Sequence, residues 1–227
     1  MCGMTRAEDV AQAALVGADY VGCVFASGVR LQAAAQAAQL FAALDGPAAP
    51  RRVGVFASAD TVEVGAIAGA VPLDVAQVHG DSVAATIGAL QTTLPSLEIW
   101  SVVRCREGRL PAVAASLWRA AKTLLLDAHV PGMLGGTGVT LPWQALADDL
   151  QAVRAAVGPA ARLVLAGGLT PDNVGSAIAA LRPDIVDVSS GVERAPGIKD
   201  HGRMRAFAEA VRAADHAIAS PLPRHRS

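Results

Sequence analysis

Short β-branched runs alternate with alanine-rich amphipathic stretches from one end of the chain to the other, and this alternation restricts the fold more than any other feature. The runs are "DYVGCVF" (19–25), "RRVGVFA" (51–57), "LDVAQVH" (73–79), "LEIWSVV" (97–103), "TLLLDA" (123–128), "RLVLAG" (162–167) and "DIVDVSS" (184–190). Each reads as a buried strand bounded by turn residues. Between them lie helical stretches such as "LQAAAQAAQLFAAL", "SVAATIGALQTTL" and, last, "GRMRAFAEAVRAA". Strict β-then-α succession implies parallel strands joined by right-handed crossovers. Thr5 stands three residues before Glu8 in a capping-box pattern, which predicts a first helix from about residue 6. A strand belongs in front of that helix, and Met1 and Cys2 occupy the place where it would end. Seven runs plus this stub predict an α/β chain, a (β/α)8 TIM barrel with its first strand truncated at the N-terminus. An open doubly wound sheet is the competing architecture.

At 227 residues the chain suits one such barrel. Hydrophobic residues make up 52% and aromatic ones 4%, so the core is built from Ala, Val, Leu and Ile, as buried parallel strands require. The barrel is expected over residues 1–214, with 215–227 ("DHAIASPLPRHRS") as a fraying tail. A net charge of −1 argues against a nucleic-acid or anionic-membrane partner. Cys2, Cys23 and Cys105 lack metal-type clustering and suggest neither a disulfide framework nor a zinc site. No signal-peptide pattern opens the chain and no apolar run reaches about 18 residues, so the expected compartment is the cytoplasm.

Barrel active sites lie at the C-terminal ends of the strands, so the junctions there supply the candidates. After the last two strands come "LAGGLTPDNV" and "DVSSGVE", whose Gly167, Gly168, Ser189, Ser190 and Gly191 let backbone N–H groups approach an anion. The tight-turn reading of each is weakened by their pairing. Asp127 ends an apolar strand and is a candidate general acid. Cys2 stands at the matching end of strand one, where a thiolate could act as a base. His79 either polarises a substrate group or bonds a neighbouring carbonyl. Arg30 is the cation of the loop after the next strand and could clamp a carboxylate. The long stretch "GMLGGTGVTLPW", with Gly136, exceeds an ordinary βα loop and reads as a substrate-covering lid. Cys23 and Cys105 read as structural.

Taken in order, these residues resemble the phosphoribosylanthranilate isomerase family. The resemblance runs from "CGMTRAEDVAQAALVGADYVGCVF" through "VGVF", "DVAQVHGD", "LLLDA", "GGTG" and "LAGGLTPDNV" to "VDVSSGVERAPGIKD", the most specific block. It implies an Amadori rearrangement in tryptophan biosynthesis, with Asp127 as the acid that protonates the ribose ring oxygen and Cys2 as the base. It implies no metal and no organic cofactor. By the same matching Arg30 binds the anthranilate carboxylate, Gly168, Ser190 and Gly191 belong to the phosphate loops, and Asp187 lines the site; His79, Gly136, Gly167 and Ser189 complete the expected substrate contacts. The implied partner is a phosphorylated small molecule, bound by a monomer or homodimer. The chain departs from the family pattern in lacking the Lys-Ile before Cys2, in a shorter loop before Arg30, and in Leu141 and Pro142 before Trp143. A barrel short of one strand exposes two edges, which gives two expectations: a natural start upstream, or a catalytically impaired phosphate-binding barrel serving as a partner module.

Overall fold

The seven apolar runs pair in chain order into one parallel sheet, β1 (Tyr20–Val24), β2 (Arg51–Phe56), β3 (Val75–Val78), β4 (Glu98–Arg104), β5 (Thr123–Asp127), β6 (Arg162–Ala166) and β7 (Ile185–Val186). A computed structural model describes residues 1–44, 46–79, 84–105, 109–127 and 143–219, with side chains from 146 in the last segment. Among the described residues eight α-helices alternate with the strands: α1 (Ala7–Leu15), α2 (Ala34–Phe41), α3 (Thr61–Ala70), α4 (Ala84–Thr93), α5 (Ala114–Ala121), α6 (Trp143–Val157), α7 (Val174–Leu181) and α8 (His201–Ala219). A short antiparallel hairpin, β8 (Glu193–Ala195) with β9 (Ile198–Lys199), precedes the last helix. Among the described residues no helix is long and apolar enough to cross a membrane.

Strand periodicity divides the core into two layers. Leu124 and Leu126 face the helices and pack in the outer cluster with Leu117, Trp118, Leu146 and Leu150. Leu125 points the other way, into the barrel, with Val53, Val55, Val75, Trp100, Val102, Val164 and Ala166. Two residues beyond Leu125, Asp127 therefore points inward at the C-terminal end. The same rule acts on the last strand. Ile185 belongs to the interior cluster while Val186 and Val188 pack outward, so Asp187 also faces the interior.

The stub before α1 closes the ring. The Met1 ammonium donates to the Tyr20 carbonyl (2.8 Å), Gly22 N–H to the Met1 carbonyl (3.0 Å) and Met4 N–H to the Gly22 carbonyl (2.9 Å). On its other side Cys2 N–H donates to the Val188 carbonyl at 2.9 Å. These bonds join β1 to the chain leaving β7, so the two edges expected to be open are bridged at the mouth. Lower down the edges part around a cleft of about 290 Å³, lined by Met1, Tyr20 and Ile185 and flanked by Phe207 and Val211 of α8.

Two local expectations are corrected. The Thr5 capping box does not form: Arg6 occupies the cap position in extended conformation without a side-chain bond, and Thr5 Oγ1 donates instead to the Gly197 carbonyl in the hairpin turn. Residues 215–219 of the expected tail belong to a helix, and 220–227 lie outside the described residues. Helix α8 continues to Ala219 because its apolar face continues, with Ala214 and Ile218 packed against the core.

Candidate active site

Glycines admit the catalytic candidates to the mouth. A Cβ built on Gly22 would lie 3.1 Å from Cys2 Sγ and 3.5 Å from Cys2 Cα, so the bare backbone of β1 is what lets the stub settle beside it. Gly3, at φ +73°, makes a second close passage: a Cβ there would fall 2.5 Å from Arg30 Cδ and 2.8 Å from Ser189 Oγ. Burial pushes the Cys2 thiol up to about 12, and the Asp187 carboxylate adds to the rise. The Met1 ammonium, Lys199 and the Gly3 N–H oppose it without reversing it. At neutral pH the resting group is a thiol.

Asp127 closes β5, and its Oδ2 lies 3.9 Å from Arg104 Nε at the end of the neighbouring strand. His79 follows β3, with its Nε2 3.0 Å from Gln77 Nε2. Burial, then the charge of Arg104, holds the His79 pKa below its ordinary value, against the pull of Asp127 and Asp187. His79 thus feels both inward-facing carboxylates.

The two glycine-bearing loops form one surface. Gly167 and Gly168 take φ +92° and +67°, a conformation open to glycine. Asn173 ties this turn at both ends, accepting from Thr170 N–H (2.8 Å) and donating to the Gly168 carbonyl (3.0 Å). Gly191 in the next loop lies so close to the first that a Cβ would fall 1.8 Å from the Leu169 carbonyl oxygen. Among the described residues the backbone N–H groups of Gly168, Ser190 and Gly191 have no acceptor. Adjacent unpaired N–H groups on bare backbone make a cradle for an anion.

Arg30 is held rather than loose. Its Nε and Nη2 donate to Glu193 Oε1 (2.8 Å) and Oε2 (2.6 Å), a two-bond clamp. Burial alone would raise the Glu193 carboxyl, but hydrogen bonds from Arg30 and Lys199 hold it below the usual carboxylate range. Arg30 Nη1, on the other edge of the guanidinium, has no partner among the described residues.

The structure therefore brings Cys2, His79, Asp127 and Asp187 to the interior end of the barrel, with Gly167, Gly168, Ser189, Ser190, Gly191 and Arg30 at its rim. Gly136 and the lid reading of "GMLGGTGVTLPW" lie outside the described residues. Cys23 faces the helical layer in the outer cluster, and Cys105 Sγ lies 3.2 Å from the Arg109 carbonyl. Gly22, Gly3, Glu193 and Lys199 were not singled out from the sequence. A glycine inside "YVGCV" is a signal for close backbone approach. For Glu193 and Lys199 local spacing carries no signal, because Arg30 and Cys2, which they bond, lie 163 and 197 residues away along the chain.

An anion cradle beside inward-facing acid and thiol groups, on a closed parallel ring, defines a (β/α)8 barrel of the phosphate-binding class. The family model described as N-(5'phosphoribosyl)anthranilate (PRA) isomerase matches residues 1–210. An N-(5'-phosphoribosyl)anthranilate isomerase from Pseudomonas fluorescens (strain Pf0-1) is 42% identical over 213 residues, 93% of this chain and 97% of its own. The phosphoribosyl anthranilate isomerase of Thermus thermophilus superposes with a TM-score of 0.76 at 34% identity, over 93% of this chain and 96% of its own. A further solved isomerase, in complex with reduced 1-(o-carboxyphenylamino)-1-deoxyribulose 5-phosphate, gives a TM-score of 0.72 at 29% identity over 93% and 96%. The chain belongs to the N-(5'-phosphoribosyl)anthranilate isomerase family.

Proposed function

We propose that this chain catalyses the Amadori rearrangement of N-(5-phosphoribosyl)anthranilate to 1-(2-carboxyphenylamino)-1-deoxyribulose 5-phosphate, with Asp127 as general acid and Cys2 as general base. The observation that carries the assignment is the strand alternation that aims Asp127 into the barrel mouth, where the stub bonded to β1 places Cys2. Phosphate would sit on the N–H groups of Gly168, Ser190 and Gly191. The anthranilate carboxylate would meet the open edge of Arg30, whose other edge Glu193 holds.

Asp127 gives its proton to the ribose ring oxygen as the C1–O bond breaks, and the aryl nitrogen forms a cationic Schiff base. As the cation forms, the Cys2 Sγ–H proton passes to solvent; the thiolate then takes the proton from C2 and becomes a thiol again, the electron pair released neutralises the cation to an enolamine, and Asp127 is reprotonated from solvent. Tautomerisation to the ketone completes an isomerisation with no net gain or loss of protons. The raised thiol pKa has a consequence here. Sγ carries negative charge only against a compensating positive one, and the Schiff base supplies that charge at the step where the base is needed. Neutral His79 is placed to hydrogen-bond the substrate beside Asp127 without protonating it.

The same reading places the reaction in the cytoplasm, on a phosphorylated small molecule, in a monomer or homodimer. The test is the consumption of freshly made phosphoribosylanthranilate by the purified chain, followed by its fluorescence with product identified by mass. Turnover to the deoxyribulose phosphate is expected. Phosphate-analogue binding without turnover would instead mark a catalytically impaired barrel.

A further inference from the structure

Lys199 is the most deeply buried charge among the described ion pairs: its side chain has no solvent exposure. A buried ammonium persists only where all three N–H donors find acceptors. Here they find the Cys2 carbonyl at 2.6 Å, the Ser189 carbonyl at 3.1 Å and Glu193 Oε1 at 3.0 Å. Each acceptor belongs to a different part of the site. The first is the backbone of the thiol residue, the second the backbone of the anion loop, and the third the carboxylate that clamps Arg30 through two bonds. Its own backbone is fixed as well, since Lys199 N–H donates to Asp9 Oδ2 at 3.1 Å and Asp9 is buried at the start of α1.

The stub needs such a tie. Cys2 N–H is bonded to Val188 and the flanking Met1 and Met4 to β1, while the Cys2 carbonyl is satisfied by Lys199. We propose that Lys199 is the positioning residue of this enzyme: its three-way ammonium bond locks Cys2, the anion loop at Ser189 and the Glu193–Arg30 clamp into one rigid frame. This rests on the reading of Cys2 as the base. A single lysine from far along the sequence thus fixes the backbone of the segment that carries Cys2. Charged groups from several elements meet around Lys199: Glu193 from β8, itself bonded to Arg30 of the loop after β1, Asp9 from α1, itself bonded to His201 of α8, and Arg203 of α8 on the Glu193 carbonyl.

The test uses the full chain with Lys199→Met, which keeps the length of the side chain and removes its donors, and with Lys199→Gln, which keeps donors without charge and serves if the first does not fold. The control is Glu98→Gln at the opposite end of the barrel. Two readouts are taken where circular dichroism shows each variant folded. The first is steady-state kinetics: kcat is expected to fall at least about tenfold in the Lys199 variants, within the roughly hundredfold that misplacing a catalytic group costs. KM is expected to rise with it through Ser189, and the control is expected to keep the wild-type kcat. The second is alkylation mapped by peptide mass: Cys2 reacts several-fold faster in the variants while buried Cys23 stays protected. Faster labelling of both cysteines would mean general loosening and would overturn the proposal, as would a folded variant with wild-type kcat and wild-type Cys2 labelling. A wild-type chain with no isomerase turnover defeats the reading of the base instead, and the labelling ratio still decides whether Lys199 holds Cys2.

Discussion

At the N-terminal end of the barrel Glu98 accepts hydrogen bonds from Arg51 (2.7 Å), the Trp100 indole (2.7 Å), Thr123 (3.2 Å) and Arg162. At the C-terminal end Asp127 meets Arg104 at 3.9 Å, and the Arg104 side chain is 72% exposed. Both are carboxylates on inward-facing strand positions, and they have opposite tasks. The lower one closes a network with donors already in place, which plugs the barrel and leaves nothing over for a ligand. In the proposed function the upper one serves the substrate as general acid. Holding the upper end together is delegated to its margin, where Glu193, Lys199 and Arg30 form a closed set beside the mouth. A barrel separates stability from function along its axis, and here each end shows its own way of using charge.

The largest effect expected from this contrast is on chemistry at the upper end. Asp127→Asn and Cys2→Ser should each lower kcat by about 10²- to 10⁴-fold, the usual contribution of a positioned acid or base. Their midpoints in urea should stay near wild type. If either variant loses stability while keeping its rate, the division between the two ends is broken.

Gly22→Ala probes the placement of the thiol without touching its chemistry. The new methyl would lie 3.1 Å from Sγ, tighter than ordinary contact, so the stub must shift. A kcat reduced by about ten- to a hundredfold is expected, with KM little changed. Single-turnover measurements with saturating enzyme separate this from slower product release.

Glu98→Gln should do the reverse. Removing the charge from a half-buried carboxylate with several donors is expected to cost about 1–3 kcal/mol of stability, less than for a fully buried pair because solvent reaches the site. The unfolding midpoint should fall while kcat stays within about twofold of wild type.

The smallest effect is on the pH dependence of stability. The folded protein holds His79 below its ordinary value of 6.5, so in acid the unfolded chain binds a proton there that the folded one does not. Stability contributed by the neutral ring is present above that pH and lost as pH falls below it. Glu193, held below its ordinary 4.5, adds a second loss at lower pH, as it is protonated through its depressed folded value. Urea midpoints measured across the acid range should decline in two stages. His79→Gln should flatten the first and leave the second.

Much of this was legible in the residues. The seven strands coincide with the apolar runs, six of them trimmed by a residue or more and β4 shifted on by one residue to Arg104, because buried parallel strands must be apolar on both faces. The end of the apolar run "TLLLDA" marks Asp127 at the mouth, the family resemblance marks Asp187, and small residues in "LAGGL" and "VSSGV" mark the anion loops. Spacing misled where it was weakest. Thr5 fits a capping box, yet the hairpin turn at Gly197 lies close enough to take its hydroxyl, and a tertiary bond displaced the local one. The helix expected to end before residue 215 runs on because Ala214 and Ile218 have a core to pack against.

By itself, then, the sequence determined the order of strands and helices and the bare backbone of the loops, since these follow from the alternation of apolar runs with helical stretches and from what glycine permits. Only the tertiary structure decided what holds the mouth in shape. The clamp on Arg30 joins residues 163 apart and the bond from Lys199 to Cys2 joins residues 197 apart. No local pattern encodes such partners. They meet because the closed ring brings early and late segments of the chain side by side, where a buried ammonium must find three acceptors or not be buried at all.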